Sequence, residues 1–163
     1  MMLNKYIVPV IIFIPIAIIQ LTLVPLVSIE SVAPDLVTIL LVYFTLKNGQ
    51  MYGTILGFIF GLLFDLMSGG LLGSAMFAKT LAGFITGYFY NESKIVENTN
   101  SIKIVYIVLV AAIFDSSIYS LLALPEAVVS ISSVIFEEGL LPALYASMLS
   151  LTIVLFSPFR KSI

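Results

Sequence analysis

The chain has 163 residues, of which 61% are hydrophobic and only 10% charged, with a mean hydropathy of +1.19. A soluble domain carries about a quarter charged residues and could not hide so much apolar surface, so the proportions fit lipid as the solvent. Seven Lys and Arg against nine Asp and Glu exclude a basic nucleic-acid footprint, and the absence of Cys and His excludes disulfides, thiolate chemistry, the usual zinc sites and imidazole catalysis.

At about 20 apolar residues per crossing, the length fits a single integral membrane domain over residues 1–163, an all-α polytopic protein of six transmembrane helices. The first apolar run covers residues 6–27. It is longer than the core of a signal peptide and ends without a small-x-small cleavage site, so it reads as a retained helix, with Pro9 and Pro15 as points of bending. Pro34-Asp35 restarts the chain, since Pro suits a first helical turn and an acid complements the dipole there. The second span, residues 35–47, is short: its apolar run, 36–46, covers about 16 Å, so it borrows flanking residues or sits in a thinned bilayer. Lys47-Asn48-Gly49 ends it.

The third run is 51–67, closed by Ser68-Gly69-Gly70, and the fourth is 71–90, ending in the interfacial aromatic group Tyr88-Phe89-Tyr90. Residues 91–101 form the most polar stretch and read as a loop. The fifth run is 102–124, followed by Pro125, and the sixth is 140–157, stopped by Pro158 and the tail Arg160-Lys161. Between them, residues 125–139 are too short and polar to cross. Val128, Ile131 and Ile135 share one helical face and Glu126, Ser130, Ser133 and Glu137 another, the pattern of a helix lying on the membrane surface, with an irregular outer loop as the alternative.

Counting connections alternately from a cytoplasmic N-terminus puts Lys5, Lys47, Lys94, Lys103, Arg160 and Lys161 on the cytoplasmic side and no Lys or Arg outside. Lys79 alone is left, inside a span. Dropping the short second span would scatter these charges over both faces. The expected protein is therefore multi-pass, with both termini cytoplasmic.

Nine of the ten glycines fall between Gly49 and Gly87. Gly53, Gly57 and Gly61 recur at intervals of four, and Gly83 and Gly87 repeat the spacing on the next span. Such stripes let helix backbones approach closely in lipid, which predicts a tight hairpin of the third and fourth spans; a dimer interface is the alternative.

A charge at mid-membrane costs at least about 2.5 kcal/mol and is normally paired. By helical rise, Lys79 lies about 16 Å and Asp115 about 18 Å from the inner face, so an ion pair between them is expected, with Ser116 and Ser117 close by. Such a pair either fixes helix register or forms a substrate or proton site. Asp35 is expected to cap a helix start. Asp65 lies near a helix C-terminus, where the dipole disfavours an anion, and is a candidate for a hydrogen-bonded turn or a partner contact. Glu137-Glu138 read as solvated, with an acidic outer rim for a basic partner as the alternative. No nucleophile has a base beside it, and the glycines form no phosphate loop, so no catalytic residue, cofactor or metal is expected.

Residues 34–73 resemble the rod shape-determining MreD family. The likeness lies in Pro34-Asp35-Leu36, Leu41-Val42-Tyr43, Lys47-Asn48-Gly49, Gly57-Phe58, Gly61-Leu62-Leu63, Asp65, Ser68-Gly69 and Leu72-Gly73. The resemblance implies a non-enzymatic scaffold of the bacterial cell-wall elongation complex in the cytoplasmic membrane. Its implied partners are MreC and, through it, RodA, a penicillin-binding transpeptidase, RodZ and MreB. The implied fold resembles the substrate-binding component of energy-coupling factor vitamin transporters. The residues carried over are Pro34, Asp35, Gly57, Gly61, Asp65, Gly69 and Gly73, for scaffold packing or an interface with MreC; in the interface reading, Asp65→Ala impairs assembly without unfolding the protein.

The shared fold raises one rival, a substrate-binding membrane subunit of a vitamin or small-molecule transporter. Those subunits resemble one another in an alanine-xxx-alanine docking pattern on the first helix and in ligand-binding Trp, His and Asn near the outer face. Here the first helix is bulky, Trp and His are absent, and Asn4, Asn48, Asn91, Asn98 and Asn100 all map to the cytoplasmic side.

Overall fold

The computed structural model describes residues 3–27, 33–123 and 139–156. Their regular structure is entirely helical: α1 (Leu3–Thr22), α2 (Val24–Val27), α3 (Leu36–Asn48), α4 (Gln50–Ser68), α5 (Ser74–Gly87), a 3-10 turn (Glu92–Lys94), α6 (Ile95–Asn100), α7 (Lys103–Ala123) and α8 (Leu141–Phe156). The surface helix expected over 125–139 and the basic tail at Arg160-Lys161 lie, but for Gly139, outside the described residues.

Three stretches are long and apolar enough to cross a membrane: Lys5–Leu26, Gln50–Ser68 and Lys103–Ala123. Leu36–Asn48 and Leu141–Thr152 are apolar but shorter. Many large apolar side chains point outward, among them Ile11, Ile18, Phe58, Leu66, Tyr106 and Phe114. Apolar exposure spread over several helices suits a lipid-facing surface rather than a watery one.

Four local readings differ from expectation. The first run is interrupted at Leu23, because the ring of Pro25 cannot continue a helix through the preceding turn. Pro34 lies just before the helix, not in its first turn; Asp35 is the cap, its carboxylate accepting from Thr38 N at 3.0 Å, so α3 starts at Leu36. The fourth span is trimmed to Ser74–Gly87 by a turn at one end and by the departure of Tyr88-Phe89-Tyr90 from the helix at the other. The stretch 91–101 is mostly helical: Asn91 accepts from Ser93 N at 3.1 Å and starts the turn, and the Asn98 amide donates to Phe89 O at 3.0 Å.

The short helix α3 is the centre of the bundle. One cluster of buried side chains joins it, through Val37 and Leu41, to Phe13 and Ala17 of α1, Leu56 and Phe60 of α4 and Ala82 of α5. A second joins it, through Val42 and Leu46, to Ile107, Val108 and Ala111 of α7 and to Ala143 and Ala146 of α8. Phe13 stacks on Phe60 with ring centroids 4.7 Å apart. A helix buried on both sides must be largely apolar all round, as LVTILLVYFTLKN is before its last turn apart from Thr38, whose hydroxyl finds buried polar partners.

The most intimate packing is between α4 and α5. A Cβ on Gly57 would overlap the carbonyl oxygen of Lys79, one on Gly61 that of Ala75, and one on Gly83 that of Gly53. A Cβ on Gly87 would strike Gln50, and one on Gly53 would strike Thr45 of α3. These glycines therefore face neighbours within this chain. Lys5, whose carbonyl accepts from the Tyr52 hydroxyl at 2.6 Å, shares one end of the bundle with Lys47, Lys94 and Lys103. The Ser68–Gly73 turn lies at the other end.

Candidate functional site

Two buried acidic arrangements lie toward that second end, and both involve residues singled out in the sequence. The first is the turn between α4 and α5. Gly69 and Gly73 adopt φ of 68° and 104°, left-handed values that glycine takes without strain. They fold the chain so that Asp65, 2% exposed, meets the start of α5. Its Oδ2 accepts from Gly73 N at 2.9 Å and Met76 N at 3.1 Å; its Oδ1 accepts from Ala75 N at 3.1 Å and the Ser74 hydroxyl at 3.5 Å. The carboxylate that sits unfavourably at the end of its own helix thus caps the positive end of the next one.

The second arrangement joins three helices. Lys79 Nζ of α5 lies 2.7 Å from Asp115 Oδ2 of α7 and 2.5 Å from Asp35 Oδ2 at the start of α3. Lys79 also donates to Thr38 Oγ1 at 3.0 Å. That hydroxyl lies 2.6 Å from Asp115 Oδ2 and 2.9 Å from Asp35 Oδ2. Lys79 and Asp115 are each 3% exposed. Asp35, expected as a cap and as a family motif residue, is a cap and a partner of Lys79 at once. Ser116 lines the space beside the cluster; Ser117 is half-buried, its hydroxyl oxygen buried and unpartnered.

Sequence reasoning missed Thr38 and Gln20. The Gln20 amide of α1 donates to Pro34 O at 2.9 Å and its oxygen accepts from Leu36 N at 2.9 Å, so one side chain satisfies both strands of the turn into α3. Gln20 and Thr22 are the two polar side chains in residues 6–27, and Asp35-x-x-Thr38 has capping spacing; both signals were available.

A cavity of about 240 Å³ opens beside this cluster. Asp35, Lys79 and Asp115 form its polar wall, with Gln20, Tyr119 and Ser120 around it. Among the described residues, no group of three or more His, Cys, Asp or Glu could hold a metal ion.

Residues 2–160, nearly the whole chain, match the family described as rod shape-determining protein MreD. The chain belongs to the MreD family. It is accordingly a membrane protein with a role in rod-shape determination, in a family of shape-determining structural proteins rather than known enzymes. No curated protein and no solved structure matches it. In MreD terms, the stretch that carries the resemblance, 34–73, contains all of α3 with its Asp35 cap, all of α4 and the Asp65 turn.

Proposed function

We propose that this MreD protein is a non-enzymatic scaffold of the bacterial cell-wall elongation complex. It maintains cell shape through contacts with MreC and, through MreC, with RodA, a penicillin-binding transpeptidase, RodZ and MreB. The observation that carries the reading is the family match over residues 2–160. The consumption of the conspicuous polar groups inside the chain supports it: Asp65, Lys79 and the glycine stripes bind the protein's own helices.

The proposed topology has six spans in the cytoplasmic membrane, both termini cytoplasmic, in an arrangement like the substrate-binding component of energy-coupling factor transporters. The gathering of Lys5, Lys47, Lys94 and Lys103 at one end supports the orientation. Helix α3, 13 residues and so about 20 Å long, does not by itself cover a hydrocarbon core of about 30 Å, so the second span needs flanking residues or a thinned bilayer. If Lys47 is held at the cytoplasmic interface, the Asp35 cap falls within the membrane, where irregular backbone needs protein partners. Gln20 and Asp35 meet that need.

The test is affinity purification of the tagged chain from native membranes in mild detergent, with co-purifying proteins identified by mass spectrometry. Recovery of MreC with wall-synthesis enzymes is the expected outcome. Recovery of paired ATPases and a coupling subunit would overturn it in favour of a small-molecule carrier, the reading that the cavity beside Lys79 favours.

A further inference from the structure

The cluster of Asp35, Thr38, Lys79 and Asp115 is short of one hydrogen. Five close approaches link its polar atoms: Lys79 to Asp35, Lys79 to Asp115, Lys79 to Thr38, and Thr38 to each carboxylate. An ammonium has three N–H groups and a hydroxyl one O–H. With both acids ionised, four hydrogens must therefore serve five approaches, and Thr38 faces one carboxylate oxygen with no hydrogen between them.

The charge count has the same sign. One ammonium against two carboxylates leaves a net charge of −1 in a buried site, where uncompensated charge is costly. The surrounding described elements bring no further cation. Helix α1 contributes the neutral Gln20, α4 Phe64, α7 the phenol Tyr119 and α8 Pro142, with Tyr145 its one titratable side chain; the nearby acid Asp65 of α4 is held by the start of α5.

A third observation says which acid is concerned. Both oxygens of Asp35 are engaged, one with Thr38 N and the other with Lys79, and its side chain is 20% exposed at the cavity. The positive end of α3 also favours its anion. Asp115 has a side chain 4% exposed, and its Oδ1 is buried with no partner. An unpartnered oxygen is tolerated better as the carbonyl of a neutral acid than as half of an anion.

We propose that this cluster is a proton-binding site, with one proton held on Asp115 Oδ2 and donated to Thr38 Oγ1. All five approaches are then hydrogen bonds: Asp115 donates to Thr38, Thr38 donates to Asp35, and Lys79 donates to all three. The net charge is zero. The cavity is the route by which water reaches the site. Release of the proton leaves a negative charge between α3 and α7, so the contact of these helices follows the acidity of the side to which the cavity opens. This does not depend on which partners the protein assembles with.

The test is infrared spectroscopy of the full-length protein in lipid nanodiscs at neutral pH, in H2O and D2O. The expected result is a carbonyl band of a protonated carboxylic acid, shifted in D2O and lost in Asp115→Asn. Asn mimics the neutral acid and donates in its place, so this variant keeps the wild-type melting temperature, whereas Asp115→Ala does not. Raising the pH from about 4 towards neutral lowers the melting temperature of the wild type relative to the Asn variant, because the folded state holds a proton that an unfolded Asp releases above about pH 4. The Asn variant is flat over the same range. Absence of the acid band, its survival in Asp115→Asn, or an Asn variant that fails to fold or melts as low as the Ala variant would overturn the proposal.

Discussion

Asp65 and Asp115 are both buried acids near the same end of the bundle, yet their surroundings are opposite. Asp65 accepts from three backbone N–H groups at the start of the next helix, with the Ser74 hydroxyl, which donates to Leu71 O at 2.8 Å, 3.5 Å away. Asp115 meets a cation and a hydroxyl that it shares with a second acid, and one of its oxygens has no partner. The first is a structural clamp, with both oxygens held by backbone N–H groups. The second has capacity left over, beside a cavity. A buried carboxylate is thus informative through what its lone pairs lack, more than through its charge.

Removing the shared cation should have the largest effect. Lys79→Met leaves Asp35 and Asp115 facing each other, and breaking a buried ion pair from one side costs about 3–5 kcal/mol. Chemical unfolding in detergent micelles measures it; a cost below that of an exposed substitution would mean that the cluster does not hold the helices. Asp65→Ala comes next, at about 3 kcal/mol, since it orphans several buried donors at once. The loss should appear in the unfolding midpoint of the isolated protein. This revises the expectation of an assembly defect without unfolding, because the carboxylate faces α5 and not the outside.

The glycine contacts rank third. Gly57→Ala forces α4 off the Lys79 carbonyl and should cost about 1–3 kcal/mol. Gly70→Ala, whose new methyl would sit 3.6 Å from Ser68 Oγ, should stay within about 0.5 kcal/mol in the same assay. Equal effects would show that the hairpin can separate without penalty. The smallest effect belongs to Glu97, hydrogen-bonded by Lys103, whose ammonium holds the carboxyl below its ordinary value. That pair stabilises above the ordinary Glu range and loses its contribution as pH falls. It is exposed and screened, so Glu97→Gln should leave the melting temperature unchanged in high salt.

Much of this was readable beforehand from particular residues. Glycines four apart mark faces that pack closely, because in lipid small residues are what lets backbones touch. Counting rise from Tyr90 and Lys103 put Lys79 and Asp115 at one depth, and they are 2.7 Å apart. Asp35 was readable as a helix cap but not as a partner of Lys79, because the two stand 44 positions apart on different helices. For Asp65 a hydrogen-bonded turn was readable but its particular donors were not: backbone N–H groups exist at every position and leave no trace in side-chain pattern.

By itself, then, the sequence determined what this protein dissolves in, its all-helical class and the family to which it belongs, because apolar run length, glycine spacing and motif order are local properties. Only the tertiary structure decided which acid shares Lys79 and which oxygen is left bare. Those outcomes depend on the packing of α3 between α5 and α7, a relation among residues 35, 79 and 115 that no short-range pattern encodes.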